Sequence, residues 1–551
     1  MFYKILVANR GEIAVRVIRT AREMGIATVA VYSDADRDAL HVSLADESYR
    51  LGPASALASY LNIDKLIECA RNSGVGAIHP GYGFLAENAE FARRVVAEGF
   101  VWIGPHPDAI DAMGDKLRAR RAMQAAGVPF VPGGVEAIDD VEAAHAAARR
   151  YGLPLALKAS AGGGGKGLKV ARSPGEIASA FETARREAQA YFKNGTIYAE
   201  RYLENPKHVE LQLLADKQGN VVHLGERDCS LQRRHQKLWE ETPATIPRNV
   251  REALREAGIR AAKAIGYDSA GTIECLVAGD EFYFLEMNTR IQVEHTVTEM
   301  ICGLDLIREQ IRIAAGEPLG YTQDQILFRG FAIEGRVNAE DPTQDFRPAP
   351  GTIAAYREPG GLGVRVDSAA FAGWTIPSEY DSLLAKLVVW APTRAQAIAR
   401  LRRAIDEYVV EGVPTTLPLL RALCDDRSVL DASYGTATLE TFAKTWRPSP
   451  PRRSTAAKPP APARRTAPRL ESLRRGAAVS GGNTVQSPMH GTIVELRVGQ
   501  GDSVSEGQVV AVVEAMKMMN EIRAHRDGTV AAVLVEAGSS AERGTPLVTL
   551  S

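Results

Sequence analysis

Residues 447–480, RPSPPRRSTAAKPPAPARRTAPRLESLRRGAAVS, hold seven prolines, nine arginines or lysines and one glutamate. No hydrophobic core can be built from such a stretch, so it reads as a linker dividing the 551-residue chain into blocks that fold separately. Its basic charge would suit a nucleic-acid tail, but it carries no aromatic residue and lies between two patterned blocks, which makes it a solvated spacer. Stiff and extended it would reach on the order of 100 Å, and as a coil it would average about 30 Å.

The chain is too long for one core, and three or more domains are expected. At 45% hydrophobic and 24% charged residues, with a formal net charge of -1, it is globular and has no global field to attract nucleic acid or a membrane surface. The opening MFYKILVANRGE has only a short apolar run before Arg10, unlike a signal peptide, and no apolar stretch is long enough to cross a bilayer. Five cysteines (Cys69, Cys229, Cys275, Cys302, Cys424) form no CxxC pair, so neither a disulfide framework nor a zinc site is expected, and a reducing cytoplasm fits.

The last 70 residues contain a repeat. Shifted by 37, Gly491, Thr492, Val498, Gly501, Ser503 and Gly507 fall on Gly528, Thr529, Val535, Gly538, Ser540 and Gly544 without a gap. Each half reads as short alternating strands with glycine turns, which predicts two half-barrels facing each other in a flattened β-sandwich. Lys517, in VVEAMKMMNEI, falls near the junction of the halves, where a hairpin turn must project. This block resembles the biotinyl or lipoyl carrier domain. EAMKM matches the biotin-attachment signature, whereas lipoyl carriers usually place Asp before the lysine. The resemblance implies that Lys517 is amide-linked to biotin by a separate biotin protein ligase, with Met516, Met518 and Met519 offering soft apolar contacts. SPMHGTIVELRVGQGDSV lacks the protruding loop of carriers from separate-subunit bacterial acetyl-CoA carboxylase, which points toward fused carboxylases.

The first block opens with KILVANR, a helical pattern through GEIAVRVIRTAREMG, and IATVAVYSDAD, a βαβ unit of a parallel sheet. PLALKASAGGGGKGLKV places Lys158 at a strand end before Gly162, Gly163, Gly164 and Gly165, where backbone N–H groups can approach phosphates. It is not a Walker motif. In FYFLEMNTRIQVEHTVTEM, Glu286, Asn288, Arg290, Gln292 and Glu294 alternate with apolar or small residues. Fully extended they would span about 26 Å at ~3.3 Å per residue, so one site requires a bend just after Asn288. Glu286, Asn288 and Glu274 from the preceding strand are hard oxygen ligands suited to magnesium, and Arg290 and Glu294 supply a cation and a base.

Residues 1–447 resemble biotin carboxylase, of the ATP-grasp superfamily, through the co-linear stretches ANRGEIAVRVIR, HPGYGFLAEN, MGDK, KASAGGGGKG, HVELQ, ERDCSLQRRHQK, EMNTRIQVEH and EGRVNAEDP. The resemblance implies an α/β architecture: a Rossmann-like domain (1–114), an ATP-grasp domain (115–330, with a glycine-rich lid at about 131–203) and an α+β C-terminal domain (331–446), followed by the linker (447–480) and the all-β carrier (481–551). It further implies that Lys116, Lys158 and the glycine run hold ATP phosphates, that Glu200 and Leu203 border adenine, and that His208, Gln232 and His235 line the nucleotide site. Lys237, Arg290, Gln292 and Val293 would surround bicarbonate, Glu294 would deprotonate it, and Tyr82 and Arg336 would meet the biotin ring. Cys229 reads as packing.

The implied reaction is ATP-, bicarbonate- and Mg2+- (or Mn2+-) dependent carboxylation of biotin through carboxyphosphate, on the chain's own tethered carrier. No carboxyltransferase segment is recognised, so a β-type carboxyltransferase subunit is expected, with acetyl- or propionyl-CoA as acceptor and pyruvate as alternative. A homodimer of carboxylase domains is implied by the resemblance alone. A non-catalytic biotinylated scaffold is opposed by the intact Glu274, Glu286, Asn288, Arg290 and Glu294, and a carbamoyl-phosphate-type ligase leaves Lys517 unexplained.

Overall fold

The computed structural model describes residues 2–134, 137–160, 167–192, 194–234, 236–448, 483–516 and 518–551, and the side chains of Lys116 and Leu117 lie outside that description. Of the expected site residues, Gly162 to Gly165, His235 and Lys517, like nearly all of the linker, fall outside it.

The expected parallel sheet opens the first block. Its five strands run in the order Glu47–Gly52, Ala27–Ser33, Lys4–Val7, Ala77–His79 and Val101–Trp102, and every pairing is parallel. Ile5, Leu6 and Val7 are wholly buried, as a central strand covered on both faces requires. The helix Gly11–Glu23 turns Ile13, Ala14, Val17 and Ile18 into the same core.

Downstream lies one antiparallel sheet of eight strands: Glu281–Asn288, Ser269–Ala278, Lys207–Ala215, Val221–Arg233, Gln236–Thr242, Phe331–Asn338, Leu383–Ala391 and Val364–Ser368. It continues without a break past residue 330, because Gln236–Thr242 pairs directly with Phe331–Asn338. The helix Arg248–Ala264 covers one face through Val250, Leu254, Ala257 and Ala261, which pack with Val209, Leu211 and Leu213. A smaller sheet centres on Leu155–Ala159, flanked by Leu168–Ala171 and Ile197–Arg201. Helices Val141–Tyr151 and Ile177–Phe192 close it with their own core, including Leu155, Leu157, Phe181 and Ile197.

The C-terminal block is an eight-stranded sandwich of two four-stranded sheets. Equivalent glycines of the repeat share a backbone shape: Gly501 and Gly538 have φ of +92° and +90°, and Gly507 and Gly544 +83° and +90°. These are turn conformations that a Cβ would strain. The pairing differs from two self-contained half-barrels. One sheet runs Thr484–Gln486, Pro546–Leu550, Gly528–Val533, Ser503–Val504, and the other Met518–Arg523, Val509–Ala515, Gly491–Leu496, Ser540–Ala541, so each half lends strands to both sheets. Exchange lets Val510, Val513, Leu547 and Val548 bury together in one core, which neither half could form alone. The hairpin closes with Ala515 opposite Met518, and Met516 enters its turn at φ +49°.

Candidate active site

Strand register builds the site. Glu274 lies opposite Glu286 on one side and Glu210 on the other, Thr272 opposite Asn288, and Gln232 opposite Lys237. Side chains two apart on each strand therefore converge on one face. The strand carrying Glu286 stops at Asn288, the chain turns through Thr289 and Arg290, and a helix begins at His295. That is the expected bend, and it returns Gln292 and Glu294 to the carboxylates: Gln292 Nε2 donates to Glu274 Oε1 at 2.7 Å.

Lys237 is the hub. Its Nζ donates to Glu210 Oε2 (2.6 Å), Glu274 Oε1 (3.0 Å) and Glu294 Oε1 (2.6 Å). Burial opposes its charge, but Glu210, Glu274 and Glu294 together raise its pKa well above the ordinary lysine value. Arg336 reaches the other oxygen of Glu294 at 2.9 Å while its Nε donates to Glu240 Oε1 at 2.6 Å. Burial alone would push the Glu294 carboxyl up, but Lys237 and then Arg336 outweigh it and hold the group well below its usual range. The result is a buried, ionised carboxylate between two cations.

Arg290 donates to Glu87 Oε2 (2.8 Å) and to Asn288 Oδ1 (2.9 Å), and Asn288 Nδ2 to Glu274 Oε1 (2.9 Å). His208 Nε2 lies 3.0 Å from Glu274 Oε2. Burial would lower the imidazole pKa, yet Glu274 raises it. The Val293 carbonyl accepts from Lys386 Nζ at 3.1 Å, and that amine lies 5.9 Å from the centre of the Tyr82 ring, which places Tyr82 near this end of the site.

Lys158 and Glu200 lie diagonally across paired strands of the smaller sheet and form an ion pair, with Arg120 Nη1 holding the second Glu200 oxygen at 2.7 Å. A Cβ on Gly133 would sit 2.5 Å from that of Glu200, so this approach depends on glycine. Leu203 is half-buried just beyond this strand. Lys116 begins a helix capped by Asp115. The small sheet's Tyr198, chiefly desolvated by burial, also feels the charge of Glu286.

Several central residues carry no assignment from the sequence. Arg227, wholly buried, donates to Glu210 (2.5 Å), Gln212 (2.6 Å), Thr298 (3.0 Å), Gln292 (2.6 Å) and Thr272 (3.3 Å). Glu210 receives Arg227 on one oxygen and Lys237 on the other, and the alternation His208, Glu210, Gln212 within HVELQ was the available signal. Glu87, Arg120, Glu240 and Lys386 are further additions. Burial pushes the Cys229 thiol well above its ordinary value, in keeping with packing.

The donor set suits a hard dication. His208, Glu210 and Glu274 offer ligand atoms within 4.8 Å of one another, Glu286 stands opposite Glu274, and Glu274 alone draws donors from Lys237, Asn288 and Gln292. Carboxylate oxygens gathered in this way match Mg2+.

Known proteins share this architecture. Residues 1–110 match the biotin carboxylase N-terminal domain, 115–322 the carbamoyl-phosphate synthase L chain ATP-binding domain, 334–441 the biotin carboxylase C-terminal domain and 483–550 the biotin-requiring enzyme domain. Biotin carboxylase 1 of Bacillus subtilis is 51% identical over 80% of this chain and 99% of its own. The biotin-dependent acyl-coenzyme A carboxylase alpha3 subunit of Mycobacterium leprae is 43% identical over 99% of this chain and 98% of its own. The biotin carboxylase domain dimer of Hydrogenobacter thermophilus 2-oxoglutarate carboxylase, solved with MgADP, ADP and bicarbonate, is 50% identical, with a TM-score of 0.77 over 80% of this chain and 98% of that one. The chain belongs to the biotin carboxylase family of ATP-dependent carboxylases, with a biotinyl carrier domain fused to it in one polypeptide.

Proposed function

We propose that this chain carboxylates biotin held on its own Lys517 and is the alpha-type subunit of an acyl-CoA carboxylase, using acetyl- or propionyl-CoA as final acceptor. The observation that carries the acceptor is the whole-chain similarity to an acyl-coenzyme A carboxylase subunit. The carboxylase part by itself is as similar to a 2-oxoglutarate carboxylase, so the acceptor is chosen by a separate β-type carboxyltransferase subunit. A homodimer of carboxylase domains and a cytoplasmic location complete the proposal. Among the described residues no helix is long and apolar enough to cross a membrane.

The cofactors are biotin, ATP and Mg2+. Glu274, Glu286 and Asn288 would hold Mg2+, which supplies charge neutralisation to the phosphate chain. Lys116, Lys158 and Gly162 to Gly165 are assigned to the phosphates, Glu200 and Leu203 to the adenine edge, and His208, Gln232 and His235 to the nucleotide wall. Lys237, Arg290, Gln292 and Val293 gather bicarbonate, whose proton Glu294 accepts. Arg290, held by Glu87 and Asn288, is pre-aligned for this anion, so little reorganisation precedes the attack. Arg336 and Tyr82 form the biotin face, and burial of Glu294 at 2% exposure keeps water from the proton acceptor.

The test is bicarbonate-dependent ATP hydrolysis stimulated by free biotin, followed by carboxylation of acetyl-CoA, propionyl-CoA and pyruvate by the complex purified from its native cell. No biotin-stimulated hydrolysis would leave a scaffold, and carboxylation of pyruvate alone would overturn the acceptor.

A further inference from the structure

Glu240 and Glu334 lie directly opposite each other on the paired strands Gln236–Thr242 and Phe331–Asn338, and both are completely buried. Residues so paired project from the same face of the sheet with their side chains in contact range. Each uses one oxygen: Glu240 Oε1 accepts from Arg336 Nε at 2.6 Å, and Glu334 Oε2 accepts from the Thr296 hydroxyl. The remaining oxygens, Glu240 Oε2 and Glu334 Oε1, have no hydrogen-bond partner among the described residues. Two ionised carboxylates in that position would repel each other and leave two buried acceptors without donors.

The surrounding cations are committed elsewhere. Arg336 is shared by Glu240 and Glu294, and Lys237 by Glu210, Glu274 and Glu294. Lys386, the neighbour of Arg336 on the next strand, lies 3.0 Å from Glu12 and 3.9 Å from Asp367 and donates to the Val293 carbonyl. The helix His295–Cys302, packed on this face, offers Glu334 only the neutral Thr296 hydroxyl. Glu334 feels Lys386 and Arg336 only at a distance and is thus the member without a direct ion pair.

We propose that Glu334 is a neutral carboxylic acid whose O–H is donated to the Glu240 carboxylate, and that this acid–carboxylate pair is the positioning element for Arg336. One proton satisfies both stranded oxygens and leaves the pair a single negative charge, which matches one guanidinium. Burial followed by the neighbouring Glu240 raises the Glu334 carboxyl well above its usual range, and burial brings Glu240 to about 7 against the pull of Arg336, in line with the geometry. Arg336 then keeps one permanent anchor whether or not Glu294 has taken a proton. That last consequence rests on the proposed function; the shared proton does not.

The experiment uses the full chain without substrates. Infrared difference spectra of wild type minus Glu334→Gln are expected to show the high-frequency carbonyl stretch of a neutral acid, shifted in heavy water; a difference showing only lost carboxylate stretches would overturn the proposal. With free biotin as substrate, Glu240→Gln is expected to raise the biotin KM on the order of tenfold while leaving the MgATP KM within about twofold. Equal rises in both would mean general damage and would overturn the positioning role. Glu334→Gln, which cannot lose a proton, is expected to move the alkaline limb of biotin carboxylation upward, and an unmoved limb counts against the pair. If wild type carboxylates no biotin, the functional reading fails while the infrared result stands on its own.

Discussion

Replacing Arg227 with methionine keeps an unbranched apolar stem but removes a guanidinium that is wholly buried and donates five hydrogen bonds. Hydrogen bonds to charged groups make a net contribution of about 1.5–3 kcal/mol each. They do not add, because Glu210 retains Lys237 and Gln292 retains its bond to Glu274. Breaking one buried charged partnership costs about 3–5 kcal/mol, which is the expected loss here. All five tryptophans lie before residue 447, so fluorescence follows the first block alone during urea unfolding of the full chain. The midpoint should fall by that energy divided by the measured m-value. Because Arg227 fixes the Gln292 side-chain amide oxygen at 2.6 Å, the bicarbonate KM should rise as well. A stability loss below about 0.5 kcal/mol would refute the claim that this guanidinium organises the cluster.

Three further outcomes are expected. Glu294→Gln should lower bicarbonate-dependent ATP hydrolysis on the order of 10²–10⁴-fold, as loss of a positioned base does, with the MgATP KM nearly unchanged. Lys517→Ala should abolish carboxylation of acyl-CoA by the assembled enzyme and leave free-biotin carboxylation intact, whereas Arg290→Ala should damage both; intact mass should show one biotinyl group that the Lys517 variant lacks. The carboxyls of Glu294 and Asp367 are held below their ordinary values, for Asp367 by Arg365 and Lys386 against burial. A depressed folded pKa contributes stability above the unfolded pKa of about 4, and this is lost as pH falls through the folded value. The urea midpoint of the first block should therefore decline below about pH 4, and Glu294→Gln should flatten that decline.

The sequence makes some of this site visible and hides the rest for a physical reason. Glu286 to Glu294 alternate in one short segment, so their shared face and the bend after Asn288 can be inferred locally. Glu226, Arg227 and Asp228 look like a solvated charge run, yet all three are buried. Glu226 meets Arg251 and Arg255, Arg227 meets Glu210 and Gln292, and Asp228 meets Lys207, partners up to 65 residues away. Register shifts on both sides of this strand send successive side chains to different neighbours, which no period-two pattern encodes. The carrier shows the same limit: a shift of 37 reveals which strands are equivalent but not that they trade partners between sheets.

The unbroken pairing between Gln236–Thr242 and Phe331–Asn338 means that residue 330 is no safe place to cut. A polypeptide ending there would present a naked row of amide donors and carbonyls along Gln236–Thr242, open to a stranger's strand. It would also strand Glu240 and Glu294 without the guanidinium that reaches across the seam. The parts of the carboxylase before and after residue 330 should therefore unfold as one cooperative body, with only the carrier melting apart.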